Sequence, residues 1–356
     1  MTTKSKSEIS PRLWILGAAD PEMERIEALL RGCGEAVAHA TAPGRDGGAA
    51  RVTPAGAYAG ATPSIPSGVE TVVLVECECD GLRDGDDPPW RVVVVDHHWP
   101  GDPGYGRPPA EFLAASSIGQ VVARLAAEGR LAGWGTGDPP VMATAYGPPG
   151  RIQAWRDAWD PAAQDWTGGP PRWVVCLAAD RAGRTACAEV PANLVRAAAA
   201  DHCLTAAYAG QCPGVEPARL AAWRDAVRAS FQGRPLAAVQ ADREAAEAVL
   251  RAAPRLVLGD VEVADVRALG AVPELPEAAA RLGMAVLYRL LPGDPGGDRG
   301  GRGGRVKVGI LGAGEGTPAG TAPVDAFLGG WAAGQGLGGL YGNPARGFAG
   351  GYEAAP

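Results

Sequence analysis

The feature that most constrains this chain is a run of four valines at positions 92–95, which ends directly in Asp96, His97 and His98. Because the run is short and wholly β-branched, it favours a strand buried on both faces of a parallel sheet over a helix. Open α/β sheets bind their ligands at the carboxyl ends of such strands. A carboxylate and two imidazoles at that edge therefore predict a site for metal binding or proton transfer. The alternative is a polar loop without function.

Hydrophobic patterns elsewhere predict strands and helices in alternation, as in a parallel sheet with helices on both faces. Asp20 is the predicted N-cap of the first helix, with Pro21 at the first helical position. Residues 41–69, rich in Gly, Pro, Ala and Thr, predict a long loop. The predicted strands are residues 13–16, 71–75, 92–95, 173–177, 255–259 and 306–311. The further predicted helices are residues 116–128, 194–208, 217–231 and 277–291.

Length and composition indicate two globular domains. A chain of 356 residues exceeds one ordinary core, and we expect domains at residues 1–235 and 250–356. The net charge of −7 argues against a broad nucleic-acid-binding face but leaves room for a local basic pocket. Seven cysteines without a C-x-x-C pair argue against structural zinc and a disulfide framework, and favour a reducing cytoplasm. No stretch reaches the ~20 apolar residues of a membrane span.

Acidic residues follow each of the first three predicted strands: Asp20 and Glu22, then Glu76, then Asp96. Neighbouring parallel strands would bring them to one edge, where the carboxylates would repel one another without a cation. Mixed carboxylate and imidazole ligands suit Mn²⁺ best and Mg²⁺ next. Taken singly, Asp20 is explained as a helix cap and Glu76 as a loop charge. Their recurrence at successive strand ends is what favours a metal site.

The C-terminal residues 327–352 are dense in glycine and also carry large apolar side chains, which disfavour a flexible tail. Glycine lets the backbone approach a ligand and point N–H groups at phosphate oxygens. Arg346 could add a charged guanidinium and Asn343 a side-chain amide. Upstream, residues 296–305 predict a flexible Gly/Arg loop rather than an RNA-binding tract. Residues 306–316 imitate a dinucleotide-binding turn, but the proline-bounded segment that follows cannot open the required helix. We therefore expect no nicotinamide cofactor.

Residues 92–106, VVVVDHHWPGDPGYG, resemble motif III of the DHH phosphoesterase superfamily, which includes RecJ-like nucleases, oligoribonucleases and cyclic-dinucleotide phosphodiesterases. The resemblance places Asp20 and Glu22 at motif I and Glu76 at motif II. Asp201 fits the place of a fourth acid, and Asp180 is the competing residue. The glycine-rich end resembles the DHH-associated C-terminal domain, which contributes substrate-binding groups across a cleft from the metals.

Departures from the family pattern bear on the metals and on the substrate. Residues 17–19, Gly-Ala-Ala, replace the His or Asn that usually precedes the motif I acids, and Glu stands for Asp at positions 22 and 76. Either longer ligands rebuild the site, with His202 compensating, or one of two metals is lost. At the C-terminus, residues 343–348 replace the family's Gly-Gly-His.

The resemblance implies an α/β fold with a parallel-sheet DHH-type N-terminal domain and a smaller α/β C-terminal domain that ends in the glycine-rich segment. It implies a metal-dependent phosphoesterase that uses Mn²⁺ or Mg²⁺. The acidic net charge and modest length favour a small nucleotide or short single-stranded oligonucleotide over long duplexes, and we expect a cytoplasmic protein without a membrane partner. Open alternatives are a non-catalytic nucleotide-binding or regulatory module on the same fold and a processive single-strand nuclease, and a homodimer is also left open. The expected metal ligands are Asp20, Glu22, Glu76, Asp96, His97 and Asp201; the catalytic residues Asp96 and His98; and the substrate-binding residues His98, Asn343, Arg346, Gly347 and Gly350.

Overall fold

The computed structural model of this chain describes residues 12–44, 48–82, 89–127, 130, 152–154, 159–160, 165–166, 172–179, 185–292, 294, 305–314 and 316–353. The chain forms two compact units, residues 1–105 with 113–198 and residues 106–112 with 199–356. This division differs from the predicted gap between residues 235 and 250, because the helices between residues 217 and 252 pack within the second unit.

The first unit is organised around a parallel sheet. Its strands to residue 95 are β1 (Arg12–Leu16), β2 (Ala36–His39), β3 (Thr41–Pro43), β4 (Ala49–Arg51), β5 (Thr71–Val75) and β6 (Arg91–Val95). Four of them form a wholly parallel sheet in the order β2–β1–β5–β6, which confirms the predicted parallel sheet and its three predicted strands. β6 is an edge strand and its residues 92–94 are only half-buried, so the prediction that the valine run is buried on both faces is wrong. The register sets Val75 beside Leu16 on one side and Val95 on the other, so β1, β5 and β6 end at the same edge.

Helix α1 (Pro21–Gly32) begins where the sequence predicts. Asp20 Oδ1 accepts a hydrogen bond from Met23 N at 2.7 Å, which satisfies one of the free N–H groups of the first turn. The short α2 (Phe112–Ala115) leads into α3 (Ser117–Ala127), which contacts α1. The predicted cap at Asp20 and the predicted helices after β1 and β6 are therefore confirmed.

The sheet face that carries Ile15 and Leu74 is covered by a β-hairpin and a 3-10 turn. The β3–β4 hairpin and the turn at Pro54–Ala59 pack there, with Val52 and Ala57 buried in the same apolar cluster. The prediction of a long loop over residues 41–69 is therefore wrong for residues 41–43, 49–51 and 54–59. Strands of three residues are too short to show an alternating pattern within a Gly- and Pro-rich segment. Among the described residues, no helix covers this face, in contrast to the prediction of helices on both faces.

The later strands of the first unit pair antiparallel. They are β7 (Ile152–Ala154), β8 (Trp159–Asp160), β9 (Asp165–Trp166), β10 (Arg172–Ala179) and β11 (Thr185–Pro191). β10 lies between β11 and β7 in a sheet of its own, so the strand predicted at residues 173–177 is confirmed but lies outside the parallel sheet. Asp180, the competing fourth acid, is outside the described residues.

The second unit contains a mixed sheet of six strands. They are β12 (Arg255–Leu258), β13 (Val261–Asp265), β14 (Val286–Leu290), β15 (Lys307–Leu311), β16 (Leu337–Asn343) and β17 (Phe348–Glu353). Their order in the sheet is β12–β13–β14–β15–β17–β16. Its helices are α4 (Ala192–Tyr208, which begins in the first unit), α5 (Pro217–Gln232), α6 (Leu236–Ala252), α7 (Leu275–Leu282), α8 (Ala322–Ala326) and α9 (Ala332–Gly334). None of the described helices is both long and apolar enough to cross a membrane.

The single helix predicted over residues 277–291 is wrong, because the segment is a helix followed by a strand. α7 ends at Leu282, and Gly283 takes the left-handed conformation at φ +60° that commonly ends helices. The chain then enters β14, which pairs with β15 over five residues. Leucines and alanines continue a helical pattern through this point, so the glycine was the one local signal of a helix end.

A buried charged network joins α4, α5 and α7. Glu277 is buried and accepts hydrogen bonds from Arg224 at 2.9 and 3.0 Å, from Arg281 at 3.1 and 3.2 Å, and from the Tyr208 hydroxyl. Burial alone would raise the pKa of Glu277, but the charge of Arg224 and the bond from Tyr208 hold it below its usual value. These contacts explain why α5 belongs with the second unit.

Candidate metal centre

The carboxyl edge of the parallel sheet brings Glu76 and the segment Asp96 to His98 together. Glu76 follows β5, and its N–H donates to Val95 O of β6 at 3.1 Å. In the same way, Gly17 N after β1 donates to Val75 O at 2.9 Å. These backbone hydrogen bonds tie the three strand ends together, so that residues far apart in sequence meet at one edge.

Glu76, His97 and His98 form a group that could hold a metal ion, called here the strand-end cluster. Their ligand atoms all lie within 4.8 Å of one another. His97 Nε2 lies 3.5 Å from Glu76 Oε1, and both side chains are buried. Ligands that share one ion at about 2.1 Å are at most about 4.2 Å apart. Shifts of the ligand atoms by a few tenths of an ångström bring the three groups to that spacing, so these residues fit a metal.

Asp96 begins the loop that carries both histidines, and its carboxylate is hydrogen-bonded within that loop. Oδ1 accepts from His97 N at 2.7 Å and from His98 N at 3.0 Å, and it lies 2.7 Å from His98 Nδ1. Burial alone would raise the pKa of Asp96, but the bond from His98 and the neighbouring donors hold it below its usual value. Carboxylates paired in this way orient metal-ligating histidines. The observed role of Asp96 is to orient His98, and its role as a ligand stays a prediction.

Tyr58 joins this site from the 3-10 turn, and no sequence pattern pointed to it. Its hydroxyl lies 3.0 Å from Asp96 Oδ2 and 3.3 Å from Oδ1, and donates to that carboxylate. Burial, followed by the negative charges of Asp96 and Glu76, raises the pKa of Tyr58, so the hydroxyl keeps its proton and remains a donor. Tyr58 lies 38 residues before Asp96, in a segment whose composition predicts a loop.

The two acids that follow β1 support helix starts. Asp20 caps α1, which confirms the ordinary explanation for that residue. Glu22 is buried, and its Oε1 accepts a hydrogen bond from Ile118 N in the first turn of α3 at 2.9 Å. A carboxylate at a helix N-terminus is favoured by the free N–H groups and by the helix dipole. One oxygen of each predicted motif I acid is therefore engaged by a backbone N–H group.

Two glycines allow the backbone to close around the strand-end cluster. Glu76 has a φ of +49°, a left-handed conformation that is uncommon outside glycine and is often found at functional sites. A Cβ at Gly17 would collide with the carbonyl oxygen of Glu76, so no side chain is tolerated there. A Cβ at Gly104 would lie 2.7 Å from His97 Cβ. The loop that follows the histidines can therefore fold back onto them only with glycine at position 104.

Trp99 follows the cluster directly and presents an aromatic ring to solvent. The residue is 46% exposed, and its ring packs edge to face against Tyr58 with the centroids 5.8 Å apart. Its backbone is held by Asp102: Trp99 N donates to Oδ2 at 2.7 Å, and Asp102 N donates to Trp99 O at 3.0 Å. An exposed ring on a fixed turn is suited to stacking on a nucleobase.

The other predicted residues lie in the second unit, on α4 and the β16–β17 hairpin. Arg346 Nη2 donates to the carbonyl oxygen of Asp201 at 3.0 Å, and Arg346 N donates to Asn343 Oδ1 at 3.2 Å. Asn343 Nδ2 and Arg346 Nη1 are buried and have no hydrogen-bond partner among the described residues. Gly347, at φ +78°, lies so close to Ala313 O that a Cβ is excluded. The turn thus carries two buried donors, and the Asp201 carboxylate lies 3.9 Å from Arg346 Nη2.

Gly350 and His202 have roles within the second unit. Gly350 lies beneath the ring of Tyr341, which a Cβ at this position would strike. The group that lies close to the Gly350 backbone is therefore a tyrosine ring, which the glycine-rich pattern alone did not indicate. His202 Nε2 lies 3.0 Å from the carbonyl oxygen of Arg107, so this nitrogen is engaged by the backbone.

No family model, curated protein or solved structure matches this chain. The likeness to DHH phosphoesterases therefore rests on the chain's own residues, above all on Asp96, His97 and His98 at the end of the parallel edge strand β6.

Proposed function

We propose that this protein is a metal-dependent phosphoesterase that hydrolyses a phosphoester of a small nucleotide or short single-stranded oligonucleotide. The observation that carries the proposal is the strand-end cluster, in which a carboxylate and two imidazoles converge at the carboxyl edge of a parallel sheet. Such an edge is where open α/β sheets bind ligands, and the buried Glu76 carboxylate has a use there as a ligand for a cation.

The donor set favours Mn²⁺, with Mg²⁺ next, because it mixes carboxylate oxygen with imidazole nitrogen. When bound, such an ion would lower the pKa of a water molecule and offset negative charge on a phosphoryl group. Glu76, His97 and His98 would hold it. Asp20 and Glu22 each accept a backbone N–H through one carboxylate oxygen, and their part in holding an ion stays a prediction.

The chain's own residues position the reaction. Tyr58 holds Asp96, and Asp96 holds the His98 ring, so a chain of hydrogen bonds fixes the direction of the imidazole. With Nδ1 held by Asp96, Nε2 is the nitrogen through which the part-exposed His98 side chain (27%) would bind the ion, so His98 acts in this proposal as a ligand and not as a donor to the substrate. Trp99 offers its exposed ring to a base. In the second unit, Asn343 Nδ2 and Arg346 Nη1 are suited to phosphate oxygens.

The test is chromatography of a panel of nucleotides, dinucleotides and 5′-phosphorylated oligonucleotides after incubation with Mn²⁺ or with chelator. Hydrolysis with Mn²⁺ that is lost with chelator, and in Glu76→Gln and His97→Ala, supports the proposal. Glu70→Gln and His39→Ala are the matched controls. Glu70 is exposed just before β5, and His39, on β2, is hydrogen-bonded to Glu27 of α1. Hydrolysis that persists in Glu76→Gln and His97→Ala would exclude the cluster as the active centre.

A second candidate function is a nucleotide-binding module without turnover. It is favoured by the engagement of Asp20 and Glu22 in helix starts and by Gly17, where the backbone of Glu76 leaves no room for a side chain. This candidate predicts that the same ligands bind but yield no product under single-turnover conditions with Mn²⁺. Product formation in that experiment decides against it.

A further inference from the structure

One row of residues across the six-stranded sheet has the pattern Tyr–Gly–Gly–Tyr. Tyr288 of β14 pairs with Gly309 of β15, Gly309 pairs with Gly350 of β17, and Gly350 pairs with Tyr341 of β16. Residues paired across neighbouring strands point to the same face of a sheet. These four residues, called here the tyrosine row, therefore set two phenol rings on either side of two glycines.

The rings of the tyrosine row lie over its glycines. A Cβ at Gly309 would be 2.6 Å from Tyr288 Cζ, and a Cβ at Gly350 would be 2.6 Å from Tyr341 Cζ. The tyrosine backbones are three strand spacings apart, about 14 Å at ~4.8 Å each, and the rings lean toward each other across that gap. Both tyrosines are half-buried. Glycine is needed at both central positions because each ring occupies the space of the missing side chain.

Positive charges border the tyrosine row. Lys307 Nζ lies 5.9 Å from the ring centroid of Tyr288 and 5.7 Å from that of Tyr341. Next to them, the Arg305 guanidinium lies 3.9 Å over the Tyr352 ring, whose centroid is 6.2 Å from that of Tyr341. The whole chain has a net charge of −7, so a cluster of cations and aromatic rings on this face is not a general property of its surface.

We propose that this face is a stacking platform for the bases of a short single-stranded oligonucleotide, with Lys307 and Arg305 contacting its phosphates. Aromatic rings on a sheet face bind unpaired bases because every base has a π-face, and nearby cations attract the phosphates that link them. The charge of this face is complementary to such a ligand. The platform belongs to the second unit and requires no hydrolysis, so it is a binding site beyond the proposed activity.

The test is fluorescence anisotropy with the full chain and end-labelled six-nucleotide strands, in chelator so that no metal-dependent cleavage occurs. The probes are a thymidine DNA strand, a uridine RNA strand and an abasic deoxyribose-phosphate strand of the same length. We expect both base-containing strands to bind and the abasic strand to bind roughly 5- to 150-fold more weakly, the range for loss of base stacking. The two base-containing strands also tell whether the platform prefers DNA or RNA.

Variants assign the binding to this face. Tyr341→Leu should weaken binding of the thymidine strand by a factor in the same range, and Tyr341→Phe should restore it, because stacking needs the ring and not the hydroxyl. Lys307→Gln should reduce the slope of log affinity against log salt by about 0.7, the loss of one phosphate contact. Arg289→Gln is the matched control, since Arg289 lies beside Tyr288 on β14, faces the other side of the sheet and pairs with Glu353.

Equal affinity for abasic and base-containing strands would overturn the proposal, as would a Tyr341→Phe variant as weak as Tyr341→Leu. If Tyr341→Leu unfolds, the abasic comparison on the natural sequence and the salt slope of Lys307→Gln still decide. Since binding is measured without metal, a failure of the proposed hydrolysis leaves this result unaffected, and a failure here leaves the strand-end cluster unaffected.

Discussion

The strand-end cluster and the tyrosine row lie at different places in their β-sheets and are held together by different forces. The cluster lies where strands end, so its side chains are carried by loops, held by hydrogen bonds, and paired with a left-handed backbone at Glu76. The tyrosine row lies in the middle of a sheet, where strand pairing alone sets which side chains share a face. The first arrangement depends on charge and on loop geometry, whereas the second depends on register and shape. Variants that alter charge and variants that alter shape should therefore affect the two regions differently.

The largest effect is expected from Glu277→Gln, which breaks the buried charged network within the second unit. Removing one partner of a buried ion pair leaves Arg224 without its carboxylate and Arg281 with Asp225 alone, and should cost about 3–5 kcal/mol in the free energy of unfolding. Urea unfolding measures this loss, with Glu244→Gln as control because Glu244 is exposed on α6. A loss below ~1 kcal/mol would show that the second unit does not depend on this charge.

The same residue gives a pH dependence with a defined sign. The pKa of Glu277 is below its usual 4.5 in the folded protein, so its contribution to stability is fully present above that value. That contribution is lost as pH falls through the lower folded pKa, because the protonated carboxyl no longer pairs with Arg224. The stability difference between the natural protein and Glu277→Gln should therefore shrink as pH falls below 4.5. A difference that stays constant to pH 3 would contradict the assigned cause.

A smaller effect is expected from Arg346→Ala, on ligand binding rather than on metal binding. Loss of a charge-assisted hydrogen bond to phosphate should weaken nucleotide binding by roughly 1.5–3 kcal/mol. Calorimetric titration measures this, with Arg255→Ala as control on an exposed position of β12. Intact nucleotide affinity in Arg346→Ala would remove this residue from the substrate site, and a parallel fall in Mn²⁺ affinity would show that the variant acts on the metal.

The smallest of these effects is expected from Tyr58→Phe, which tests whether hydrogen bonds behind the strand-end cluster matter. Without the hydroxyl, Asp96 loses a donor and holds His98 less firmly, so Mn²⁺ affinity should fall about 10- to 100-fold. Tyr105→Phe, in the loop that follows the cluster, serves as the matched control. Unchanged Mn²⁺ affinity in Tyr58→Phe would mean that Asp96 orients His98 without help.

Local patterns predicted the parts of this protein that depend on local chemistry. The valine run indicated β6, Asp20 with Pro21 indicated the start of α1, and acids after successive strands indicated the edge where Glu76 meets His97. Parallel pairing made that last step possible, because it brings the ends of neighbouring strands together.

What sequence patterns missed depends on contacts between distant segments. Tyr58 reaches Asp96 from a 3-10 turn that composition presents as loop. Gly350, in the glycine-rich segment, suggests a backbone open to phosphate until the structure shows the ring of Tyr341 over it. The helix expected through residue 291 ends at Leu282, where Gly283 turns the chain, and β14 then pairs with β15, a tertiary contact that outweighs local helical propensity.

The measurement that tests the strand-end cluster most directly is anomalous diffraction at the manganese edge from crystals of the full chain grown with Mn²⁺. We expect one peak with Glu76, His97 and His98 about 2.0 to 2.3 Å from it, and no such peak in crystals of His97→Ala. A second peak that is ligated by Asp20 and Glu22 would correct the count of ions but keep the site. With Mn²⁺ present, the absence of any peak between Glu76, His97 and His98 would contradict the account.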